Sequence, residues 1–98
     1  SAKLFTSKEP AAVEVNDEWG WIDINGEQFI EPQYKDAQSF SLNLAPVIID
    51  GIWGYINADN KIAIEPNFEY AKPFSKRGSA FVKNQEKWNL ITLYEYDD

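Results

Sequence analysis

Trp19–Pro32, WGWIDINGEQFIEP, returns as Trp53–Pro66, WGYINADNKIAIEP, thirty-four positions later. In each copy an alternating run reaches a short polar turn, Asn25-Gly26 or Asp59-Asn60, and a second run leaves it for Glu-Pro. Alternating apolar residues around such a turn read as a β-hairpin, and Asn-Gly is the pair that best tolerates the positive φ angles of a type I′ connection. The chain is therefore read as a tandem repeat of β-hairpins, with Asn25-Gly26 and Asp59-Asn60 as two-residue turns.

The repetition extends outward from this core. Ala11/Ala45, Val13/Val47, Ile22/Ile56, Ile30/Ile64, Ala37/Ala71, Phe40/Phe74 and Ser41/Ser75 are identical pairs, and Trp21/Tyr55 and Tyr34/Phe68 keep an aromatic ring. Ahead of each Trp a further strand is expected, Ala11–Val15 in the first copy. It turns at Asn16-Asp17 or Asp50-Gly51, which sets Val13 opposite Gly20 and Val47 opposite Gly54. The third strand is expected over Glu27–Glu31, with Pro32 ending it because proline has no N–H for a ladder. Across the Asn25-Gly26 turn, Trp21 then faces Ile30 and Ile22 faces Phe29. After each Glu-Pro, the spacing Tyr34, Ala37, Phe40 and Phe68, Ala71, Phe74 allows a short helical turn, whose rings plug the core between neighbouring units.

These units divide the chain into a repeat tail at 1–10, repeats at 11–44 and 45–79, and a truncated capping repeat at 80–98. The last follows a one-residue insertion, and in it Trp88 precedes Asn89 instead of Gly. The expected fold is all-β: tandem three-stranded antiparallel meanders of 34–35 residues with short connectors, stacked as a short repeat array. Trp19 and Trp53, placed identically before Gly, are expected in the core. The Gly after each Trp leaves room for a ring or backbone to come close.

Composition bounds the chemistry. The 98 residues contain no Cys and no His, which excludes disulfides, thiolate or imidazole metal sites, and Ser-His-Asp or Cys-His catalysis. Forty-four per cent hydrophobic and 15% aromatic residues can build one core. The glycines fall singly at turns, so no phosphate-cradling loop exists. Counting from Asp59 as the first position of a calcium loop, the places that need the turn Gly and the closing Glu hold Ile64 and Tyr70. Glu31 and Glu65 recur at one position, which favours a structural role over paired-carboxylate catalysis. No cofactor and no enzymatic activity are expected. The absence of Met and the Ser-Ala start are expected of a piece of a longer protein.

The net charge is −7, which makes nucleic acid and anionic membrane poor partners. From Glu9 to Glu69 there are twelve acids and two bases, whereas Lys72, Lys76, Arg77, Lys83 and Lys87 gather near the end. The turn acids Asp17, Asp50 and Asp59 are candidates to form one acidic edge for a basic protein partner. Trp21 and Tyr55 are the candidates for stacking on carbohydrate.

Trp-Gly-aromatic-Ile followed by a turn, Ile-Glu-Pro, an aromatic, Ala and Phe resembles the WG-repeat family, found widely in bacterial proteins. The resemblance covers nearly all of residues 5–93 and departs at Trp88-Asn89. It implies an all-β repeat fold and a binding or scaffolding role, with no catalytic residues. Four roles stay open on these residues: a protein-interaction module, a cell-wall or polysaccharide binder, a small acidic immunity or inhibitor protein against a basic toxin, and, last, an enzyme.

Overall fold

A computed structural model describes residues 9–93, so the readings placed on residues 1–8 and 94–98 lie outside the described residues. The described chain is all-β. Strands β1 (Ala11–Val15), β2 (Glu18–Ile22) and β3 (Gln28–Tyr34) form one antiparallel sheet. Strands β4 (Leu44–Ile49), β5 (Ile52–Asn57) and β6 (Ile62–Phe68) form a second, and β7 (Tyr70–Ala71), β8 (Ser79–Asn84) and β9 (Lys87–Thr92) a third.

The first turns of the two full units are as read from sequence, and the β8–β9 turn repeats their geometry. Asn16-Asp17, Asp50-Gly51 and Gln85-Glu86 all have two successive positive φ angles, the type I′ geometry whose twist matches paired strands. Val13 faces Gly20 and Val47 faces Gly54.

The second turn differs from the two-residue expectation. Asn25 and Asp59 lack positive φ, whereas Gly26 (82°) and Asn60 (60°) have it. Gly26 N–H donates to Asp23 O, and Asp23 N–H to Glu27 O. The Asp23 side chain also accepts from the N–H groups of Asn25 and Glu27. Asn57 does the same for Asp59 and Lys61. These are three-residue loops closed by a residue in the left-handed region, and a short polar side chain before the loop favours them over type I′. The extra residue moves the register: Trp21 does face Ile30, but Ile22 faces Gln28 instead of Phe29.

The third strand does not stop at proline. β3 and β6 run through Pro32 and Pro66 because each carries a bulge there. Trp19 pairs with Tyr34 and Trp21 with Ile30, so Gly20 alone stands opposite Glu31-Pro32-Gln33. Trp53–Phe68 and Tyr55–Ile64 place Gly54 opposite Glu65-Pro66-Asn67 in the same way. A bulge leaves one residue out of the ladder, which is where a residue without an N–H is tolerated. The opposing glycine is required by contact distance. A Cβ on Gly20 would lie 2.5 Å from Ile30 O and 2.6 Å from Pro32 N, and one on Gly54 2.7 Å from both Ile64 O and Pro66 N.

The connector after each bulge is extended, not helical. Ala37 bridges Val47, with Ile48 N–H donating to Asp36 O and Gln38 N–H to Pro46 O. One unit later Ala71 pairs with Val82, and Lys72 N–H donates to Phe81 O. The chain therefore leaves one sheet at the bulge and becomes an edge strand of the next, which outcompetes a helical turn by giving its backbone groups ladder partners. The one-residue insertion is also located. Ser41 and Leu44 close a two-residue turn over Leu42-Asn43, whereas Ser75 and Ser79 close a three-residue turn over Lys76-Arg77-Gly78.

The plugging role read for the connectors is present. Ala12, Trp21, Ile30, Ala37, Phe40, Ala45, Val47 and Ile56 form one buried cluster between the first two sheets. Trp53, Tyr55, Ala71, Phe74, Ala80 and Val82 form the next. Of the two tryptophans expected in the core, Trp53 is buried and Trp19 only partly so; Trp21, one pleat on, is fully buried.

Replacing Trp53 with Ala should cost about 3–5 kcal/mol, and Gly54→Ala about 3 kcal/mol because the backbone across it must move. Gly26→Ala, where φ is positive but the space is open, should cost only about 1 kcal/mol. Urea denaturation of the three variants checks the order, and a Gly54→Ala midpoint no lower than that of Gly26→Ala would contradict the close-approach account.

Candidate functional site

The five candidate residues do not form one site. Trp21 and Tyr55 both have 0% exposure, and each turns its polar atom inward. Trp21 Nε1–H donates to Gln38 O at 2.8 Å, and Tyr55 O–H donates to Lys72 O at 2.7 Å. Their ring faces are occupied as well. Trp21 meets Tyr34 and Phe40 at 5.6 and 5.3 Å between centroids, and Tyr55 meets Phe68 and Phe74 at 6.4 and 4.9 Å. A pyranose has no access to either ring, so the stacking role read for this pair is corrected to a core role. Each hydrogen bond ties the middle strand of one sheet to the backbone of the following connector.

The turn acids are exposed, but they do not share one edge. Asp17 and Asp50 occupy equivalent β1–β2 and β4–β5 turns, while Asp59 lies in the β5–β6 turn. In an antiparallel meander successive turns fall at opposite ends of the middle strand, so β5 separates Asp50 from Asp59. The Asp50 end is continuous with the next sheet: Gly51, Ile52, Phe68, Glu69 and Asn84 line one shallow groove. Glu86, in the β8–β9 turn, is the third acid of this series. Its N–H donates to the Glu69 carboxylate, which braces a type I′ turn that lacks glycine. Glu9 braces Leu42-Asn43 similarly, accepting from both N–H groups at 3.0 and 2.9 Å. Glu31 and Glu65 sit exposed in the two bulges.

Among the described residues no group of three Asp or Glu side chains is placed to hold a metal ion. The pronounced shifts in acidity belong to phenols withdrawn from water, partly at Tyr34 and fully at Tyr55: desolvation raises the pKa of Tyr34 and, further, that of Tyr55.

What the residue reading missed is a surface on the third sheet. Phe81, Trp88 and Leu90 are exposed by 54, 47 and 56%. They share a face, since Phe81 pairs with Leu90 and Lys83 with Trp88. In the second sheet the equivalent positions hold Pro46, Trp53 and Tyr55, all buried.

The raised phenol pKa values fix a sign. The folded state holds these protons more tightly than the unfolded state, so their contribution is whole below the unfolded value of about 10 and is lost as pH rises toward the folded value. Tyr55→Phe should cost about 1–2 kcal/mol at neutral pH through the bond to Lys72 O, and its gap from wild type should narrow above about pH 10. Urea midpoints of both proteins across that range are the check; a gap that widens would contradict the burial of the phenol.

The chain matches the family described as WG containing repeat over residues 19–51 and again over 53–88. Comparison with curated proteins gave no match, and comparison with solved structures gave none either. Each matched stretch opens on the Trp of a middle strand, so it runs through one bulge and connector into the following sheet. With two matches spanning more than half of its length, and with the bulged Trp-Gly strand pair at the heart of each, this chain belongs to the WG containing repeat family.

Proposed function

We propose that this domain is a non-enzymatic protein-interaction or scaffolding module, and that its acidic turn edge receives a basic protein partner. The observation that carries the reading is the recurrence of an exposed acid in the equivalent type I′ turn of successive sheets: Asp17, Asp50 and Glu86. Like charges held at a regular spacing in water repel one another, and a partner bearing Lys and Arg relieves that repulsion and is steered toward the edge. Turns suit the task because their positions are set by two paired strands while their side chains face solvent. Family membership supports a repeat module and supplies no catalytic group. The burial of Trp21 and Tyr55 removes the residues on which a carbohydrate reading rested.

Titrating a Lys- and Arg-rich peptide into the protein, followed by amide NMR shifts, tests the edge. The shifts should concentrate at Asp17, Asp50 and Glu86 and fade as salt rises from about 50 to about 500 mM, where the Debye length shrinks well below 10 Å. Asp17→Asn with Asp50→Asn should weaken the binding, and Asp59→Asn, at the other end of the sheet, should not. Equal shifts at Asp59, or binding indifferent to salt, would overturn the reading.

A further inference from the structure

The stacking of the sheets follows one rule, and among the described residues it leaves large apolar side chains exposed at both ends of the stack. Within each interface the middle-strand aromatic face of one sheet meets the Ala, Val and Ile face of the next: Ala12 and Trp21 against Ala45, Val47 and Ile56 in the first cluster. In the second, Trp53 and Tyr55 lie against Ala80 and Val82. Each sheet thus has an aromatic face directed toward the following sheet and an aliphatic face directed toward the preceding one. At the far end, the aromatic face of the third sheet carries Phe81, Trp88 and Leu90, all exposed. At the near end, the aliphatic face of the first sheet carries Val13 and Ile22, half-buried, with Val15 and Ile24 beside them at 49 and 54% exposure.

We propose that these two faces mate in trans, so that the chain associates head to tail, the aromatic face of one copy receiving the aliphatic face of a second copy. Two observations support this occupant. The repeated register maps Val13 and Ile22 onto Val47 and Ile56, the residues that cover Trp21, so a second copy presents a surface of the kind already seated on the equivalent face inside the fold. On the faces themselves the charges are opposite, while the adjoining turn carries an acid at both ends, Asp17 and Glu86. Tyr70 pairs with Lys83, and Lys72 Nζ lies 5.1 Å above the Trp88 ring, so cations border the aromatic face. Asp17 and Glu18 border the aliphatic one, Glu18 pairing with Val15. The interface is heterologous, and such an interface propagates unless rotation closes a ring. This inference shares only Asp17 with the acidic-edge reading; its contacts are apolar end faces and its partner is a second copy.

Sedimentation equilibrium of the 98-residue protein tests it, over about 10 µM to about 1 mM, the range in which mass action reveals a weak self-association. Wild type should show a weight-average mass that rises with concentration past the dimer. Leu90→Glu and Val15→Glu, both at exposed positions and checked for unchanged circular dichroism, should each be monomeric, with association weakened by about tenfold or more because a charge enters an apolar contact. Mixed in equal amounts, they should form a complex that stops at two chains, one supplying the intact head and the other the intact tail. A wild type that stays monomeric throughout overturns the proposal, the aromatic face then being reserved for some other segment. Association of Val15→Glu alone at wild-type strength also overturns it, because the aromatic face would then be pairing with itself.

Discussion

The distance between a glycine and the backbone opposite it governs this structure. At Gly20 and Gly54 the facing strand comes closer than any Cβ allows, and that approach lets three residues, Glu-Pro-Gln or Glu-Pro-Asn, bulge against one. The bulge turns the strand out of its sheet, and within a few residues the same segment becomes the edge strand of the next sheet. Trp-Gly and Glu-Pro are therefore two halves of a single device. In the third unit Asn stands where the others have Gly. Asn89 is exposed on β9, an edge strand with no described neighbour across from it, so the steric demand is absent there.

The edge transfer also explains how a small sheet becomes stable. A three-stranded sheet with one apolar face leaves that face in water, and here the departing chain carries its own cover. Tyr34 and Phe40 close on Trp21, and Phe68 and Phe74 close on Tyr55 in the same relation. Edge-on ring contacts of this sort add to the burial of apolar area. The inward hydrogen bonds of Trp21 and Tyr55 satisfy carbonyls of the connector, so hydrophobic cover and backbone satisfaction come from the same two side chains.

What this device leaves on the outside follows from the same rule. The turns between strands are free to vary, and at one end of the sheets they carry acids; the terminal faces are apolar because each is half of an interface used elsewhere in the fold. A repeat protein built by nearest-neighbour contacts has this property in general: its ends repeat the chemistry of its interior unless capped. The first sheet meets solvent with aliphatic residues and the third with aromatic ones, which follows from the direction in which the sheets stack.

The sequence by itself determined the repeat, its length, the all-β class, the first turn of each full unit and the pairing of Val13 with Gly20 and Val47 with Gly54. These depend on local rules, alternation and positive-φ preferences, that one strand pair is enough to express. The close backbone contact at the Gly after Trp was legible for the same reason. Continuation of the strand through Pro32 was not, because proline is excluded from a regular ladder and only the bulge opposite Gly20 makes room for it. Nor were the three-residue loops, where the side chains of Asp23 and Asn57 outweigh the Asn-Gly signal. The burial of Trp21 and Tyr55, the separation of Asp59 from Asp17 and Asp50, and the exposure of Trp88 were decided by tertiary structure alone. Identical positions in successive repeats have the same local geometry, but whether a ring is core or surface depends on whether another sheet follows it, and that is a property of the stack.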